Sequence, residues 1–469
     1  MPAITAEATP LGPVTPGDGV VRERARQALV VSILLAGILA LTGTSVSLRV
    51  GAIVFSVTAF VECVMMFRLQ PSRPFTGGSI YLLLFALFHG GLLFSTALGQ
   101  EIEFINARDP QWYQTEHTAT AAVLAAWAVV VFTGAYSLAI RRPAVGESGT
   151  PRRLPAAAGP LMTMAGVGAW FLVAFSAGID LLGTTYTTWL EETETTPLPY
   201  VYLLMGLVMG AAGASRSTWA RRLALAVFVA FTLPAFFIGL RGEVILPAAA
   251  HLVAAARRTS LPLRWWMLAV PVVALSAGSL VRSTRTVEGG LTSGRADLNP
   301  LSGLTELGYT IRPLSLVSER LAAGEDRTGW ETYLSPFKRL IGENIFGVQT
   351  LSVLDNDAVF RTFVTDRVGP IGGSPAAEAY RSFGLLGILV VLGTIGIFLA
   401  WLERRPTTTA NDALVGMAAF PLFLWVRNDF TPIPVAMLAV FLIWLVVYAP
   451  GRGASHSPQE YPRTWSVPA

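Results

Sequence analysis

The sequence GLRGE at residues 239–243 places a guanidinium group and a carboxylate between two apolar segments. The segment after it has only about 14 residues before Arg257, which is about 21 Å of helix. Because a bilayer core is about 30 Å thick, we expect Arg241 and Glu243 to lie below the membrane surface. A buried arginine costs several kcal/mol unless it meets a partner or a polar cavity. Arg241 therefore pairs with Glu243, reaches the lipid headgroups, or binds an anion in a cavity that opens outward.

Further arginines lie at the ends of apolar segments on the same side, or in the long loop between them. They are Arg282, Arg285, Arg312 and Arg427, the last followed closely by Asp429. The planar guanidinium group suits two-pronged contacts with phosphate. Each arginine alone is also explained as an anchor at the membrane interface, whereas several in one outward cavity would form a pyrophosphate site. Arg241, Arg282 and Arg427 together are the stronger indication of such a site.

A glycine-rich stretch followed by a helix start forms the third candidate element. Ser374 is a favoured N-cap and Pro375 a favoured first helical residue. The glycines permit close approach to the free N–H groups of the helix end, which favour anions. Glu378 lies one turn into this helix, on the same face as Arg381. It is a candidate general base for a hydroxyl group, or a salt-bridge partner of Arg381 or Arg241.

Several other chemistries lack their characteristic residues. Cys63 is the only cysteine, and the four histidines do not cluster at the spacing of metal ligands. His89 and His251 fall inside apolar segments, where we expect them to form hydrogen bonds between packed helices. The sequence has no glycine-lysine phosphate loop, and its first outer loop has no paired acidic motif. We therefore expect no metal site, no cofactor and no nucleotide hydrolysis.

The candidate residues are positioned by a chain that is largely apolar. Of its 469 residues, 53% are hydrophobic and 14% are charged, whereas soluble domains carry about 25% charged residues. Twelve apolar runs approach the roughly 20 residues of a transmembrane helix. They are residues 28–47, 50–67, 79–98, 119–140, 158–178, 199–214, 223–240, 243–256, 265–281, 383–401, 412–426 and 434–449. The sequence therefore predicts an all-α polytopic membrane protein with about 12 transmembrane helices.

The basic residues predict the orientation of these helices. Nineteen Lys and Arg residues fall in the loops and tails of one side, and four fall in the short loops of the other. Because cytoplasmic loops of membrane proteins carry the excess of Lys and Arg, we expect both termini in the cytoplasm and a location in the inner (plasma) membrane. This topology accounts for the net charge of +4 without nucleic acid as a partner.

The spans and loops divide the chain into five parts. These are a disordered cytoplasmic leader (1–27), helices 1–9 (28–281), a large external loop (282–382), helices 10–12 (383–449) and a cytoplasmic tail (450–469). Long loops are exempt from the charge rule, so the eleven basic residues of the external loop do not disturb the topology. Loops of this length are often functional.

Part of the external loop has a helical pattern. Apolar residues recur at three- and four-residue spacing, opposite Lys338 and Arg339; they are Tyr333, Phe337, Leu340, Ile341 and Ile345. Such a pattern is typical of a helix that lies on the membrane surface. A helix that packs on other elements of the loop has the same pattern, and the sequence leaves both alternatives open.

Three features together resemble the O-antigen polymerase (Wzy-type, oligosaccharide repeat-unit polymerase) family. They are the GLRGE sequence, the long loop before the last spans, and a motif in which Gly373 and Ser374 are followed by Glu378, Tyr380, Phe383, Gly384 and Gly387. The resemblance covers roughly residues 220–430. It implies a glycosyltransferase that joins oligosaccharides linked to a polyprenyl (undecaprenyl) diphosphate on the outer face of the inner membrane, with inversion and without a metal. Membrane lipid and other polysaccharide-assembly proteins are the further partners that it implies.

Carried over by position, the resemblance assigns roles to the candidate residues. Arg241 and Arg282 would bind the donor pyrophosphate, and Glu378 would be the catalytic base. Substrate-binding roles follow for the neighbouring polar residues Glu243, Arg285, Arg312, Tyr380, Arg381, Arg427 and Asp429.

Three other functions fit parts of the pattern. A transporter or lipid-linked oligosaccharide flippase also has many spans, but the two halves of this chain show no repeat, and its charges gather at one face. O-antigen ligases typically have a histidine in the large outer loop, and residues 282–382 contain none, which favours a polymerase. A scaffold for other envelope enzymes would not need the arginines.

Overall fold

The computed structural model of the chain is all-α in the part that it describes. That part comprises residues 46–70, 73–100, 102, 110–140, 157–179, 181, 189, 192–193, 196–259, 272–273, 275–280, 298–346, 357–369 and 371–448. The predicted leader and tail, most of the first and ninth predicted spans, and Arg282 and Arg285 lie outside these residues. The predicted all-α fold is confirmed.

Fourteen helices are described, in the following order along the chain. The first seven are α1 (Leu48–Leu69), α2 (Gly77–Ala97), α3 (Glu116–Ala139), α4 (Ala158–Ser176), α5 (Leu198–Gly213), α6 (Thr218–Ile238) and α7 (Arg241–Ala256). The next four belong to the predicted external loop: α8 (Pro300–Leu307), α9 (Ile311–Ala322), α10 (Glu331–Phe346) and α11 (Phe360–Val368). The last three are α12 (Pro375–Glu403), α13 (Thr409–Trp425) and α14 (Ile433–Ile443).

Ten of the twelve predicted spans coincide with helices. Within the described ranges, seven helices are long and apolar enough to cross a membrane: α1, α2, α3, α4, α6, α12 and α13. The helices α5 and α14 are apolar but shorter, and α7 has 16 residues. The protein is therefore a multi-pass membrane protein, and the count of about 12 spans is approximate.

Helix α12 begins eight residues before the predicted span. Its first residue is Pro375, but Gly384 has a left-handed φ of 65° and interrupts the helical backbone. The predicted boundary at residue 383 lies at this kink. This left-handed conformation favours glycine, because a side chain would strain the backbone. A Cβ atom added here would also clash with the guanidinium group of Arg327. Glu378 therefore lies in a separate first segment of α12, before the apolar part of the helix.

Small residues let the central helices pack closely. Gly210 of α5 faces Gly416 of α13, and a Cβ atom added to Gly210 would lie 2.5 Å from the backbone of Gly416. Small residues at such contacts are usual between helices in membranes, where the backbones must approach for good packing. On the outside, large apolar side chains such as Phe60 and Leu172 are about 70% exposed, as expected of surfaces that face lipid.

Buried ion pairs join four helices at the end of α7 opposite Arg241. Arg257 donates to Asp412 at 2.8 Å and to Glu403 at 2.9 Å, and it also binds the backbone carbonyl of Arg405 at 2.7 Å. Nε of Arg258 lies 2.9 Å from the other oxygen of Asp412, while Glu403 accepts the N–H of Gly77 on α2. Asp412 and Arg257 are almost fully buried. This cluster therefore connects α2, α7, α12 and α13.

We predict that Asp412→Asn destabilises the protein by about 3–5 kcal/mol, because it leaves two largely buried guanidinium groups without the carboxylate between them. The thermal unfolding midpoint in detergent measures this loss. Lys338→Ala is the matched control, because it breaks the exposed Lys338–Glu331 pair, and exposed pairs contribute at most about 1 kcal/mol. Equal shifts for the two variants would contradict a structural role for the buried cluster.

Candidate functional site

A tight connection between α6 and α7 positions Arg241. Gly239 ends α6 with a φ of 96°, a left-handed conformation that favours glycine, and its N–H donates to the Ala235 carbonyl at 3.1 Å. Leu240 follows, and α7 begins at Arg241. The turn predicted over residues 239–243 is therefore shorter, and Arg241 and Glu243 lie in the first helical turn. Arg241 is only 4% exposed, and its depth below the membrane surface stays a prediction.

The carboxylate partner of Arg241 is Glu306 of α8. Nη1 of Arg241 lies 2.6 Å from a carboxylate oxygen of Glu306, and Nη2 donates to the Gly278 carbonyl at 2.9 Å. The expected alternative of an Arg241–Glu243 pair is wrong, because residues two apart on a helix do not face each other. Glu306 is 33% exposed. The buried arginine is thus paired with a residue whose side chain is partly exposed.

Arg427 lies against the start of α7. A Cβ atom added to Gly242 would lie 2.6 Å from Nη1 of Arg427, so the glycine next to Arg241 makes room for this second guanidinium group. The same guanidinium group lies over the Phe88 ring of α2, at 5.8 Å from its centroid. The structure therefore brings together three of the predicted site residues, Arg241, Glu243 and Arg427.

Glu378 binds the connection between α13 and α14. Its carboxylate is 1% exposed and accepts the indole N–H of Trp425 at 2.6 Å and the backbone N–H of Phe430 at 3.0 Å. The alternative of a salt bridge with Arg241 or Arg381 is wrong. Arg381 instead donates to the Asp357 carbonyl at 2.8 Å and stacks on Phe363 at 3.7 Å, because its side chain points toward α11.

The start of α12 is built as predicted. The Ser374 side chain accepts the N–H of Ala377 at 3.3 Å, and Pro375 is the first helical residue. The glycines before Ser374 permit close approach, but the approaching group is part of this chain: the N–H of Gly373 donates to the Arg427 carbonyl at 2.9 Å. These contacts fix the backbone of Arg427 to the start of the helix that carries Glu378.

Both buried histidines join packed helices, as expected. His89 of α2 lies 2.7 Å from the Ser374 hydroxyl group, and its other ring nitrogen lies 3.2 Å from the Phe85 carbonyl. His251 binds the Met209 carbonyl at 3.2 Å. His89 therefore supports the N-cap of α12, a connection over 285 residues of sequence that no local pattern indicated.

The remaining predicted site residues in the described part of the chain are Asp429, Arg312 and Tyr380. Asp429 is 6% exposed and accepts a hydrogen bond from the Thr431 hydroxyl at 2.6 Å. Burial raises the pKa of its carboxyl above the usual value, and this hydrogen bond offsets only part of the rise. Arg312 of α9 lies over the Trp112 ring at 5.3 Å, and Tyr380 is partly buried against the core. No three His, Cys, Asp or Glu side chains among the described residues are placed to hold a metal ion.

The described site residues lie in the part of the chain that matches a known protein family. Residues 211–450 match the sequence model of the family O-antigen polysaccharide polymerase Wzy, which confirms the resemblance drawn from the sequence. Protein CapE of Staphylococcus aureus is 26% identical over 211 residues, which are 44% of this chain and 46% of CapE. The chain therefore matches slightly less than half the length of that relative. No solved structure matches the chain.

We predict that Trp425→Phe lowers the free energy of unfolding by roughly 1–3 kcal/mol, because one buried oxygen of Glu378 loses its donor. Trp444→Phe is the matched control: it also removes an indole N–H, but one that donates to the backbone carbonyl of Ala410. Thermal unfolding in detergent compares the two. A larger loss for Trp444→Phe would show that the Glu378 hydrogen bond does not hold the α13–α14 connection.

Proposed function

The chain belongs to the O-antigen polysaccharide polymerase Wzy family, and from that premise we propose that it joins oligosaccharides carried on a polyprenyl diphosphate. The observation that supports this proposal is the pairing of the buried Arg241 with Glu306, which is 33% exposed. We propose that an anion reaches Arg241 from the side on which Glu306 lies. We further propose that this side faces out of the cell, since the basic residues favour cytoplasmic termini.

Arg241 and Arg427 are proposed to bind the donor diphosphate, together with Arg282, which lies outside the described residues. The hydrogen bond from Nη2 of Arg241 to the Gly278 carbonyl fixes the plane of the guanidinium group. Nη1 is then free to exchange the Glu306 carboxylate for a phosphate oxygen. Fixed donors aimed at the leaving group stabilise the charge that develops on it, so this part of the reaction is proposed to need no metal ion.

The proposed reaction is a single displacement with inversion. A hydroxyl oxygen of the acceptor forms a bond to the anomeric carbon of the donor, and the bond from that carbon to the diphosphate oxygen breaks. The hydroxyl proton passes to a carboxylate, and the lipid diphosphate leaves with the bonding electron pair. The products are the lengthened glycan and a free polyprenyl diphosphate. Glu243, Arg312, Tyr380 and Arg381 are proposed to contribute to the shape of the surrounding surface.

We propose that the proton acceptor is Glu306. It is one-third exposed, whereas both oxygens of Glu378 already accept hydrogen bonds inside the protein. When the diphosphate binds Arg241, the Glu306 carboxylate leaves its ion pair and is available to accept the proton. Glu378 then acts through the position of the Trp425–Phe430 segment. The role of Glu378 as the base, which the resemblance implied, is the competing proposal.

Arg241→Lys tests the diphosphate site. Lysine keeps a positive charge for Glu306 but lacks the planar fork. Charged hydrogen bonds contribute about 1.5–3 kcal/mol, so turnover should fall about ten- to a hundred-fold. The assay measures lengthening of lipid-diphosphate-linked oligosaccharide by purified protein in detergent, where a transporter has no compartments to connect. Wild-type turnover at equal protein level would exclude Arg241 from the site, and no lengthening by the wild type would favour the flippase.

A second pair of variants separates the two candidate bases. Glu306→Gln should reduce turnover about 10²- to 10⁴-fold at equal amounts of folded protein, and it should also lower the thermal midpoint, because the buried Arg241 loses its carboxylate partner. Glu378→Gln should mainly lower the thermal midpoint, because its amide keeps only one accepting oxygen. The reverse result, an active Glu306→Gln and a folded but inactive Glu378→Gln, would assign the base to Glu378.

A further inference from the structure

Helix α10 has two apolar faces with different surroundings. On one face Tyr333 packs edge-on against Phe430 of the α13–α14 connection, with ring centroids 5.2 Å apart. The other face is a stripe at spacings of four, three and four residues, and its side chains are 43–64% exposed; they are Trp330, Leu334, Phe337 and Ile341. The sequence left open whether this helix lies on the membrane or on the protein. The two faces allow α10 to do both.

The exposed stripe continues onto a surface that faces lipid. Trp330 packs against Phe383 at the kink of α12, with centroids 4.6 Å apart. Just beyond the kink Leu386 is 63% exposed and Leu389 is 46% exposed, on a helix that is long and apolar enough to cross a membrane. The contact between Trp330 and Phe383 thus joins the stripe to the apolar outer surface of α12.

The start of α14 lies on the same side. Phe337 of the stripe reaches Phe430 just before α14, at 6.3 Å between centroids. Further along α14, Val435 and Leu438 are 38% and 44% exposed. The helix α10 therefore lies beside the ends of two apolar helices, with its stripe on the side where their exposed residues begin.

The chemistry of α10 suits the boundary between lipid and water. Lys338 lies one helical turn after Leu334, at the edge of the stripe, where it is 56% exposed and pairs with Glu331 at 2.8 Å. A polar, charged face beside an apolar face is typical of helices that lie in the membrane interface. Tryptophan is enriched at the same level, because its ring has an apolar body and a polar N–H.

We propose that the stripe formed by Trp330, Leu334, Phe337 and Ile341 docks α10 on the bilayer, among the upper acyl chains beside α12 and α14. The occupant of the stripe is phospholipid. The proposal rests on the multi-pass fold and not on the polymerase reaction. Because Tyr333, which lies beside the stripe, packs on Phe430, whose N–H binds Glu378, the docked helix also covers the segment that Glu378 holds.

Fluorescence quenching tests this docking on the full-length protein. Cys63→Ser removes the only cysteine, and single cysteines then replace Leu334, Phe337 or Lys338 and carry an environment-sensitive fluorophore. In nanodiscs of anionic phospholipid, lipids with a nitroxide near the headgroup should quench the labels at 334 and 337 several-fold more than the label at 338. Aqueous iodide should give the opposite order. A label at Phe60, an exposed residue of α1, is the positive control for a deeper nitroxide.

Two results would overturn the proposal. If iodide quenches positions 334 and 338 equally, the stripe faces water. If neither quencher reaches position 334 and oxidation cross-links two copies through this cysteine, a second copy covers the stripe. Each labelled variant is first required to keep the thermal midpoint of the Cys63→Ser parent. No outcome depends on glycan lengthening, so failure here is distinct from failure of the proposed function.

Discussion

The buried carboxylate of Glu378 determines how the last three helices meet the rest of the site. A carboxylate in an apolar interior is costly unless donors satisfy it, and here the donors come from Trp425 and Phe430 at 2.6 and 3.0 Å. These two hydrogen bonds hold the α13–α14 connection against the first segment of α12. Arg427 lies within that connection, and its carbonyl accepts the N–H of Gly373. The place of the Arg427 guanidinium beside Gly242 thus follows from contacts that Glu378 makes several residues away.

The two ends of α7 show how a structural arginine differs from one available to a ligand. Arg257 and Arg241 are both almost fully buried, at 3% and 4% exposure. The two carboxylates of Arg257 are themselves buried, at 6% and 0% of their side chains, whereas the partner of Arg241 is 33% exposed. An incoming anion has no route to Arg257 without disrupting four helices. At Arg241 the proposed anion would have to displace only one partly exposed carboxylate. Burial of an arginine therefore says little about function until the exposure of its partner is known.

Local patterns predicted the helices, the burial of Arg241 and the N-cap at Ser374. Each of these depends on residues within one or two turns: a short apolar run, a left-handed glycine, a serine before a proline. The partners of the charged groups could not be predicted in this way. Glu306 is 65 residues from Arg241 in sequence, and the donors to Glu378 are 47 and 52 residues away. Such pairs are set by helix packing, which one sequence does not reveal, although the two-residue spacing already argued against an Arg241–Glu243 pair.

The loop helix α10 shows the same limit in another form. Its apolar periodicity predicted one face, but Tyr333 packs against Phe430 whereas Ile341 of the same predicted face is 46% exposed. This division matters for the proposed lipid-linked substrate, because the bilayer fixes the depth of its diphosphate. The 16 residues of α7 span about 24 Å, which is less than the roughly 30 Å thickness of a hydrocarbon core. Arg241, at the first residue of α7, therefore lies at the level of the lipid headgroups only if the outer surface of the protein is recessed there. An α10 docked at that level would fix the height of the Phe430 segment relative to the lipid. The guanidinium groups and the diphosphate would then meet at the depth where the diphosphate already lies.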